Sequence, residues 1–536
     1  MVQPKKTMRF AWMAGGVVAS LLAIPAIAIE FSTGPNGIEA RRLHEEPYNL
    51  TGRKISIGQV EIGRPALFGF DKPAAENFVV RPTQVFLLDQ QALANLNVDD
   101  HAASVASVMI SQDKRLRGVA PDARLYAAAA GFNRQGGQPQ ECLASQTVAL
   151  QNGDDVRAIN FSFGEPLSQD PRPNALLDGN ALLTLCIDWS SREHDVLYVI
   201  AGNQGRGGIP IPTDHYNGMT VSNTITVDGI FRKVSFADLG SEPPSIQGRP
   251  AESNVGPRRS ITLAAPGSAM ELVQPDGSNT PPISGTSFAA PHVTATVALI
   301  QEYGDRQLAT GAPNWTLDAR RHEVSKAVIM NSADKIEDSG DGLFLDMSRT
   351  AVDQRNNDWL ASDAYWREEI PLNANLGTGH LNAFRAYQQF SRGQWSPDVP
   401  VPVIGWDYRT VGTDESTQPY RDYVINRPLQ EGSHISATLT WSRVVELQDA
   451  NGNGLYDVDE TFSDRGLNNL DLYLLPADSD NLEDSIWSSI SPEDSVEHIF
   501  HRIPETGEYK LRVVFRDQVN DPLQNYALAW WSMPAQ

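Results

Sequence analysis

One stretch, residues 284–300 with the sequence SGTSFAAPHVTATVALI, constrains the fold of this chain more than any other. Gly285 permits a tight bend, Thr286 and Ser287 are favourable helix caps, and Pro291 has the fixed φ that suits a first helical turn. The residues that follow are almost all small or apolar, which predicts a buried helix. A serine at its start lies beside backbone N–H groups that stabilise negative charge, so Ser287 suits the role of a nucleophile. An ordinary capped core helix also fits these residues.

The segment Gly-Thr-Ser-Phe-Ala-Ala-Pro at 285–291 resembles the nucleophile motif of the subtilisin-like serine proteases, the subtilases. The resemblance implies a serine endopeptidase in which Ser287 attacks the peptide bond. Alternating apolar strands and helices, including an amphipathic helix over 323–334, predict an α/β fold with a parallel sheet flanked by helices. We therefore assign residues 54–390 to a subtilisin-like peptidase domain.

Two further segments resemble the catalytic segments of the family, in the family's order. A strand ends at Glu61, where subtilases have an aspartate, and His101 opens an apolar helix, where they have the catalytic histidine. A glutamate can accept the Nδ1–H of a histidine, so Glu61, His101 and Ser287 form the predicted triad. For Glu61 the alternative is a surface glutamate after a strand. Asp99 and Asp100 are rival carboxylates, although so close a neighbour reaches Nδ1 with difficulty.

Two buried strands supply the other expected site residues. Asn203 follows the second strand in an Ala-Gly-Asn sequence, which resembles the segment whose asparagine donates to the oxyanion in subtilases. Ser162, Phe163 and Gly164 follow the first strand and resemble the family's edge strand, which pairs with an extended peptide substrate. The pattern alone, without the resemblance, indicates only a buried strand and a turn asparagine.

Residues 1–28 have the pattern of a signal peptide, with a basic start, an apolar core and an A-x-A cleavage site. An uncleaved membrane anchor is the alternative, since the apolar run approaches spanning length. We expect a secreted, periplasmic or cell-surface protein with no stable membrane span after cleavage. Residues 29–53 form a short, polar N-terminal segment, which is shorter than the prodomain that subtilases usually carry. Cys142 and Cys186 could pair in an oxidising compartment.

The pattern changes after a Pro-rich linker at 391–402 to short runs in which apolar and polar residues alternate. These runs predict an antiparallel β-sandwich over 403–536. A Pro-Glu-Thr-Gly turn at 504–507 resembles that of the jelly-roll-like C-terminal modules of secreted bacterial proteases. We expect this domain to be a targeting or stabilising module.

The C-terminal domain also contains the cation-binding pattern D-x-[DN]-x-[DN]-G-x₅-E at 449–460. This pattern wraps short oxygen side chains, a backbone carbonyl and a bidentate glutamate around a hard cation, so Ca²⁺ is the expected cofactor, with a structural role. The predicted ligands are Asp449, Asn451, Asn453, the Leu455 carbonyl, Asp457 and Glu460. A hairpin loop rich in Asn, Gly and Asp is the alternative, because the flanking helices of such sites are not predicted.

Charge and histidine spacing narrow the functions of the chain. The net charge is −23, from 43 basic and 66 acidic residues, which argues against a nucleic-acid partner. The resemblance to subtilases implies polypeptide substrates. The ten histidines include no H-E-x-x-H spacing, so a zinc hydrolase is disfavoured. The main alternative is a catalytically inactive subtilase-fold protein that acts as a calcium-dependent surface binding module. Glu61 in place of aspartate, and the Ala-Ala-Ser that follows His101, favour this alternative.

Overall fold

The computed structural model describes residues 27–131, 137–202, 211–234, 245–246, 249–250, 258–413 and 418–535. Of the predicted signal peptide, only Ile27–Ala28 lies within these ranges. The α-helices are α1 Ile29–Thr33, α2 Ala40–His44, α3 Asp100–Ile110, α4 Gln138–Ala149, α5 Gln151–Asp154, α6 Leu182–Glu193, α7 Thr286–Thr310, α8 His322–Asn331, α9 Asp363–Trp366 and α10 Ala383–Phe390. Within the described ranges, no helix combines the length and the apolar character needed to cross a membrane.

The first part of the chain builds a largely parallel ten-stranded sheet. The strands of this part of the chain are β1 Ile27–Ala28, β2 Ser56–Glu61, β3 Gln84–Leu87, β4 Gln90–Gln91, β5 Arg124–Ala129, β6 Val156–Phe161, β7 Leu197–Ala201, β8 Met219–Val227, β9 Ile230–Lys233, β10 Ser245–Ile246, β11 Arg249–Pro250, β12 Leu263–Pro266, β13 Met270–Glu271 and β14 Ala351–Val352. Of these, β1 and β13 form one separate pair, and β10 and β11 form another. The sheet has the order β14-β9-β8-β7-β6-β2-β5-β3-β4, and β12 also pairs with β8. Only the β8–β9 and β3–β4 pairs are antiparallel. The predicted α/β fold is therefore confirmed.

Helices cover both faces of this sheet. On one face, Ile57 and Val199 pack with residues of α3, α7 and α8. On the other face, Ile159 and Ile200 pack with residues of α4 and α6, and a disulfide between Cys142 and Cys186 joins these two helices. Strands buried on both faces lose the alternation of apolar and polar residues. Every residue of β2 and β6, and all but the last residue of β7, is accordingly buried.

The N-terminal segment 29–53 packs into the same body as the sheet. Four of its apolar side chains, Ile38, Ala40, Leu43 and Leu50, are fully buried in the core around α3 and α7. The carboxylate of Glu302 in α7 accepts the backbone N–H groups of Thr51 and Gly52 at 2.8 and 2.7 Å. A segment that is polar by composition is thus fixed by a few apolar anchors and one buried carboxylate.

The C-terminal part forms antiparallel sheets, as predicted. Its strands are β15 Ile404–Gly412, β16 Tyr420–Val424, β17 His434–Trp441, β18 Val444–Gln448, β19 Thr461–Gly466, β20 Asn469–Pro476, β21 Trp487–Ser489, β22 Val496–Arg502, β23 Tyr509–Asp517 and β24 Leu523–Ser532. Two four-stranded sheets, β15-β24-β17-β22 and β16-β23-β20-β21, enclose a common apolar core, and β18 and β19 form a separate hairpin.

This C-terminal part shares its packing with the N-terminal α/β part. Helix α8 contacts β17 and β24, and Ala527 and Ala529 belong to the same core as α7 and α8. A buried ion pair joins Arg443 Nη2 to Asp188 Oδ2 at 2.6 Å. The prediction of an amphipathic helix over 323–334 was wrong in one respect: all residues of α8 are buried, because the C-terminal sheet covers the face that would otherwise meet solvent.

Candidate active site

Several of the predicted site residues lie at or just beyond the ends of three neighbouring strands of the sheet. Strands β7, β6 and β2 lie side by side and run parallel. Glu61 is the last residue of β2, Ser162 directly follows β6, and Asn203 lies two residues beyond the end of β7. Carboxyl ends of parallel strands meet at one edge of a sheet, and ligands bind in the crevice there. Asn203 itself lies outside the described residues.

Glu61 and His101 are in direct contact at this edge. Glu61 Oε2 lies 3.2 Å from His101 Nδ1, and the glutamate is buried while two-fifths of the histidine side chain is exposed. His101 is the second residue of α3, and Asp99 caps that helix by accepting the N–H of Ala102 at 2.9 Å. Asp99 therefore caps α3, and the carboxylate that contacts His101 Nδ1 is that of Glu61.

The charge of Glu61 controls the protonation of His101. The negative carboxylate raises the pKa of His101 to about 8, partial burial opposes that rise, and Asp99 adds a smaller increase. Glu61 Oε1 is buried and has no hydrogen-bond donor among the described residues. One oxygen of the carboxylate therefore contacts the histidine, and within the described ranges the other is buried without a hydrogen-bond donor.

Ser287 lies in the first turn of α7, which begins at Thr286. The N–H groups of a first helical turn have no partners within the helix, so they are available to an oxyanion. The prediction that Thr286 and Ser287 cap this helix was wrong, because Gly285 occupies the capping position and no side chain caps it. Both hydroxyls instead bond to backbone carbonyls of the sheet edge, Thr286 to Gly202 at 2.6 Å and Ser287 to Ser162 at 3.2 Å.

Ser287 and Ser162 are held by two reciprocal hydrogen bonds. Ser287 Oγ donates to the Ser162 carbonyl, and Ser162 Oγ donates to the Ser287 carbonyl at 2.9 Å. The side-chain amide of Asn160 donates to Ser162 Oγ at 2.8 Å and fixes that hydroxyl. Within the described residues, Ser287 Oγ makes no hydrogen bond to His101, whose ring lies 5.6 Å from that of Phe288. In free enzymes, catalytic hydrogen bonds often tighten only when substrate is bound.

Pro291 leaves the Ser287 carbonyl free for Ser162. The sequence suggests Pro291 in a first helical turn, but α7 starts earlier and encloses it. A proline inside a helix has no N–H for the carbonyl four residues before it, and that carbonyl belongs to Ser287. The Ser162 hydroxyl takes the place of the missing donor. Sequence reasoning missed this role, although the i−4 relation of Ser287 and Pro291 was visible in the motif.

The three predicted substrate-binding residues lie just beyond β6. The Phe163 side chain is buried and stacks on Phe161, with ring centroids 4.6 Å apart, so it serves the core. Gly164 is half-buried, and the next residue, Glu165, makes an isolated antiparallel bridge with Ile211. The backbone at 162–164 is thus the part of this segment that can meet a peptide.

The Thr286–Gly202 hydrogen bond also bears on the predicted oxyanion site. Gly202 directly precedes Asn203, and Thr286 directly precedes Ser287. Their contact therefore brings the backbone before the predicted amide donor next to the backbone before the predicted nucleophile.

The predicted calcium ligands lie in the loop between β18 and β19, in the C-terminal part of the chain. Asp449 accepts the N–H groups of Gly452 and Gly454 at 2.6 and 2.8 Å, and these bonds lower its pKa. Glu460 is buried and accepts the N–H groups of Ala450 and Asp457 at 2.8 and 3.0 Å. The loop is thus folded around its own acidic side chains. Its remaining predicted ligands are Asn451, Asn453, the Leu455 carbonyl and Asp457.

This loop also contacts the N-terminal α/β part. Tyr456 is fully buried, and its backbone N–H and carbonyl both bond to the side chain of Gln146 in α4, at 2.5 and 3.1 Å. Its ring stacks on Phe462 at 5.3 Å. The loop therefore rests on the helix that the disulfide joins to α6.

Comparisons with known proteins agree with this architecture. The model of the Subtilase family matches residues 89–357, just over half of the chain, and this range contains His101, Asn203 and Ser287 but not Glu61. Thermitase from Thermoactinomyces vulgaris is 25% identical over 240 residues, which cover 45% of this chain and 68% of thermitase. Subtilisin DY from Bacillus licheniformis is 27% identical over 212 residues, 38% of this chain and 65% of that protein.

A third relative, Subtilisin Savinase from Lederbergia lenta, is 26% identical over 236 residues, 43% of this chain and 71% of that protein. The solved structure of prenylagaramide maturation protease PagA covers 66% of this chain and 99% of its own at 18% identity, but its TM-score of 0.40 is too low to carry an argument. The family match, the parallel sheet and the helix that presents Ser287 agree. The chain belongs to the subtilase family, a family of serine peptidases.

Proposed function

We propose that this chain is a secreted serine endopeptidase that hydrolyses polypeptides with Glu61, His101 and Ser287. The contact of 3.2 Å between Glu61 and His101, at the strand edge that also holds the Ser287 helix, carries the proposal. The family match supports serine peptidase chemistry. The signal-peptide pattern of residues 1–28 supports secretion.

In this mechanism His101 is the general base. Ser287 Oγ turns from the Ser162 carbonyl toward His101, gives up its proton and attacks the scissile carbonyl. The carboxylate of Glu61 stabilises the imidazolium that results. The Ser287 N–H and the Asn203 amide donate to the oxyanion, and His101 then returns the proton to the leaving amine. In the second half of the reaction, His101 takes a proton from water, which attacks the acyl carbonyl. The acyl group then leaves as a carboxylic acid, and His101 returns the proton to Ser287 Oγ.

Casein hydrolysis and labelling by a fluorophosphonate probe test this proposal together. The wild-type chain should do both, and Ser287→Ala should do neither. Glu61→Ala should lose most activity, whereas the matched control Asp100→Ala, which removes an exposed carboxylate next to the histidine, should keep it. If Glu61→Ala were as active as the wild type, another carboxylate would have to orient His101. A folded wild-type chain that neither cleaves nor labels would refute the peptidase proposal.

The second candidate is a subtilase fold without activity that binds partners in a calcium-dependent manner. One observation favours it: the Ser287 hydroxyl donates to the Ser162 carbonyl, and in the described part of the chain it makes no hydrogen bond to His101. Fluorophosphonate labelling separates the two candidates, because it requires an activated serine. Absence of labelling, with calcium still bound, would favour the binding module.

We also propose that the loop 449–460 holds a structural calcium ion. The donors fit a hard cation, since the carboxylates of Asp449, Asp457 and Glu460 and the Leu455 carbonyl are oxygens on one short loop. Among the described residues, no Lys or Arg forms an ion pair with these three carboxylates. The amides of Asn451 and Asn453 both point their nitrogen at Asp457 Oδ2, at 2.6 and 3.1 Å, and would present their oxygens to a cation after an amide flip.

A further inference from the structure

A second group of metal-ligating side chains lies outside the active site and outside the calcium loop. Asp195 lies between α6 and β7, and His322 and Glu323 are the first two residues of α8. One ligand atom from each of the three lies within 4.8 Å of the others. Asp195 Oδ1 is 2.9 Å and Glu323 Oε2 is 3.2 Å from the same ring nitrogen, His322 Nδ1. His322 and Glu323 are buried, and Asp195 is partly exposed.

The tautomer of His322 follows from its other ring nitrogen. His322 Nε2 lies 3.1 Å from Ser442 Oγ, in the C-terminal part of the chain. The Ser442 hydroxyl already donates its proton to Glu323 Oε1 at 3.3 Å, so in this contact it can only accept. Nε2 therefore carries a proton and donates it to Ser442. The lone pair of Nδ1 then faces two carboxylate oxygens, an arrangement that requires a positive charge between them.

One proton on Nδ1 does not satisfy this arrangement completely. An N–H directed at Asp195 Oδ1 leaves Glu323 Oε2 with no hydrogen-bond partner in the described structure, although that oxygen is fully buried. Asp195 Oδ2 is turned away toward Arg321, at 3.2 Å, and so cannot exchange roles with Oδ1. A buried carboxylate oxygen without a partner is costly. A cation that all three atoms share removes this cost.

We propose that Asp195 Oδ1, His322 Nδ1 and Glu323 Oε2 bind a divalent transition-metal ion, for which Zn²⁺ is the matching probe. One imidazole and two carboxylates are a normal zinc donor set. Tetrahedral ligands about 2.0–2.1 Å from zinc are separated by roughly 3.3 Å, near the two distances observed. Ser442 accepts the Nε2–H, as the outer partners of zinc-bound histidines do. The exposed side of Asp195 leaves room for a water as fourth ligand.

The metal would join three separate parts of the molecule. Asp195 fixes the loop after α6, His322 and Glu323 fix the start of α8, and Ser442 connects the site to the segment between β17 and β18. The site contains no nucleophile that the peptidase mechanism uses, and the proposal does not depend on that mechanism. Its role is structural: it fastens the C-terminal sheet to the peptidase body.

Metal binding to the full chain tests the proposal directly. After EDTA treatment and dialysis, Zn²⁺ titration by calorimetry should show a site in the wild type, Co²⁺ should give the visible absorption of a low-coordinate site, and Zn²⁺ should raise Tm. Glu323→Gln keeps the side-chain size and the acceptor for Ser442, and it should weaken Zn²⁺ binding at least about tenfold. If this variant fails to fold, Asp195→Asn at the partly exposed ligand should give the same loss.

A neighbouring histidine provides the matched control. His194 is also buried, but its Nδ1 faces a single carboxylate, Asp154 Oδ1, at 3.0 Å. His194→Gln should therefore leave Zn²⁺ affinity, the Co²⁺ spectrum and the rise in Tm unchanged. Zn²⁺ binding that survives undiminished in Glu323→Gln would overturn the assignment. The assignment would also be overturned if the folded wild type did not bind Zn²⁺ and NMR showed that His322 is an imidazolium. In that case a proton, and not a metal ion, would lie between the two carboxylates.

Discussion

Replacing Glu61 by glutamine removes the charge that raises the pKa of His101 while nearly keeping the shape of the side chain. In the wild type that pKa lies at about 8, against an ordinary 6.5, with Glu61 as the largest cause and burial acting in the opposite direction. In Glu61→Gln only burial and Asp99 remain. The pKa of His101 should therefore fall by about 1.5 units or more, to 6.5 or below.

The same shift sets the pH dependence of activity and of stability. Only neutral His101 accepts the serine proton, so the acid limb of activity should be centred near pH 8 in the wild type and near or below pH 6.5 in the variant. A shift of this size corresponds to about 2 kcal/mol, and solvent screening of the partly exposed His101 reduces it to about 1 kcal/mol. Because the folded pKa is the higher one, this stability is present below pH 6.5 and disappears as the pH rises through 8.

Fluorophosphonate labelling rates measured against pH report the acid limb even when turnover is slow. At high pH the labelling plateau of Glu61→Gln should be lower by a factor on the order of 10³–10⁴, as expected for loss of the group that orients a triad histidine. Asp99→Asn is the control, because asparagine keeps the helix cap and removes only the smaller electrostatic contribution. An acid limb that stays near pH 8 in Glu61→Gln, or that moves further in Asp99→Asn, would refute the assignment of Glu61.

Three further changes test other parts of the structure. Pro291→Ala restores a backbone N–H that competes with the Ser162 hydroxyl for the Ser287 carbonyl. Acylation should therefore slow by about tenfold, while Tm should not fall. Equal acylation rates in the variant and the wild type would show that this carbonyl does not position the nucleophile. Arg443→Ala leaves the buried Asp188 carboxylate without its cationic partner and should lower the free energy of unfolding by about 3–5 kcal/mol in urea titrations. A loss below about 1 kcal/mol would show that this ion pair does not hold the C-terminal part to the N-terminal α/β part. Calcium should raise the Tm of the wild type but not that of Glu460→Gln. The control is Asp459→Asn, which changes an acidic residue of the loop that is outside the ligand pattern, and its Tm should rise as in the wild type. The same rise in both variants would exclude this loop as the calcium site.

The sequence predicts those features that short segments determine. The α/β sheet follows from strand and helix patterns, and Ser287 and His101 are recognisable because small residues and a helix start surround each of them. Glu61 is recognisable only by its position at a strand end. In the structure its contact with His101 spans forty residues of sequence, and that contact, more than the pattern, distinguishes Glu61 from Asp99 and Asp100.

Features that depend on distant parts of the chain were not predictable in this way. Arg443 and Asp188 are far apart in sequence, and no spacing rule connects them. The complete burial of α8 depends on a sheet that follows it by about a hundred residues of sequence, so local periodicity suggested an exposed face. The predicted capping by Thr286 and Ser287 was also wrong. Their hydroxyls bond to carbonyls at the sheet edge instead of capping the helix, because the fold brings that edge within reach.

The position of β24 within its sheet has a consequence for how the peptidase is assembled. This strand lies between β15 and β17 and contacts α8, and its alanines complete the core that surrounds the Ser287 helix. During synthesis, Ser287 is made long before β24. The core around the nucleophile therefore stays open until β24 has been made and inserted. The order of the strands thus makes the packing around Ser287 depend on a strand that is made more than two hundred residues later.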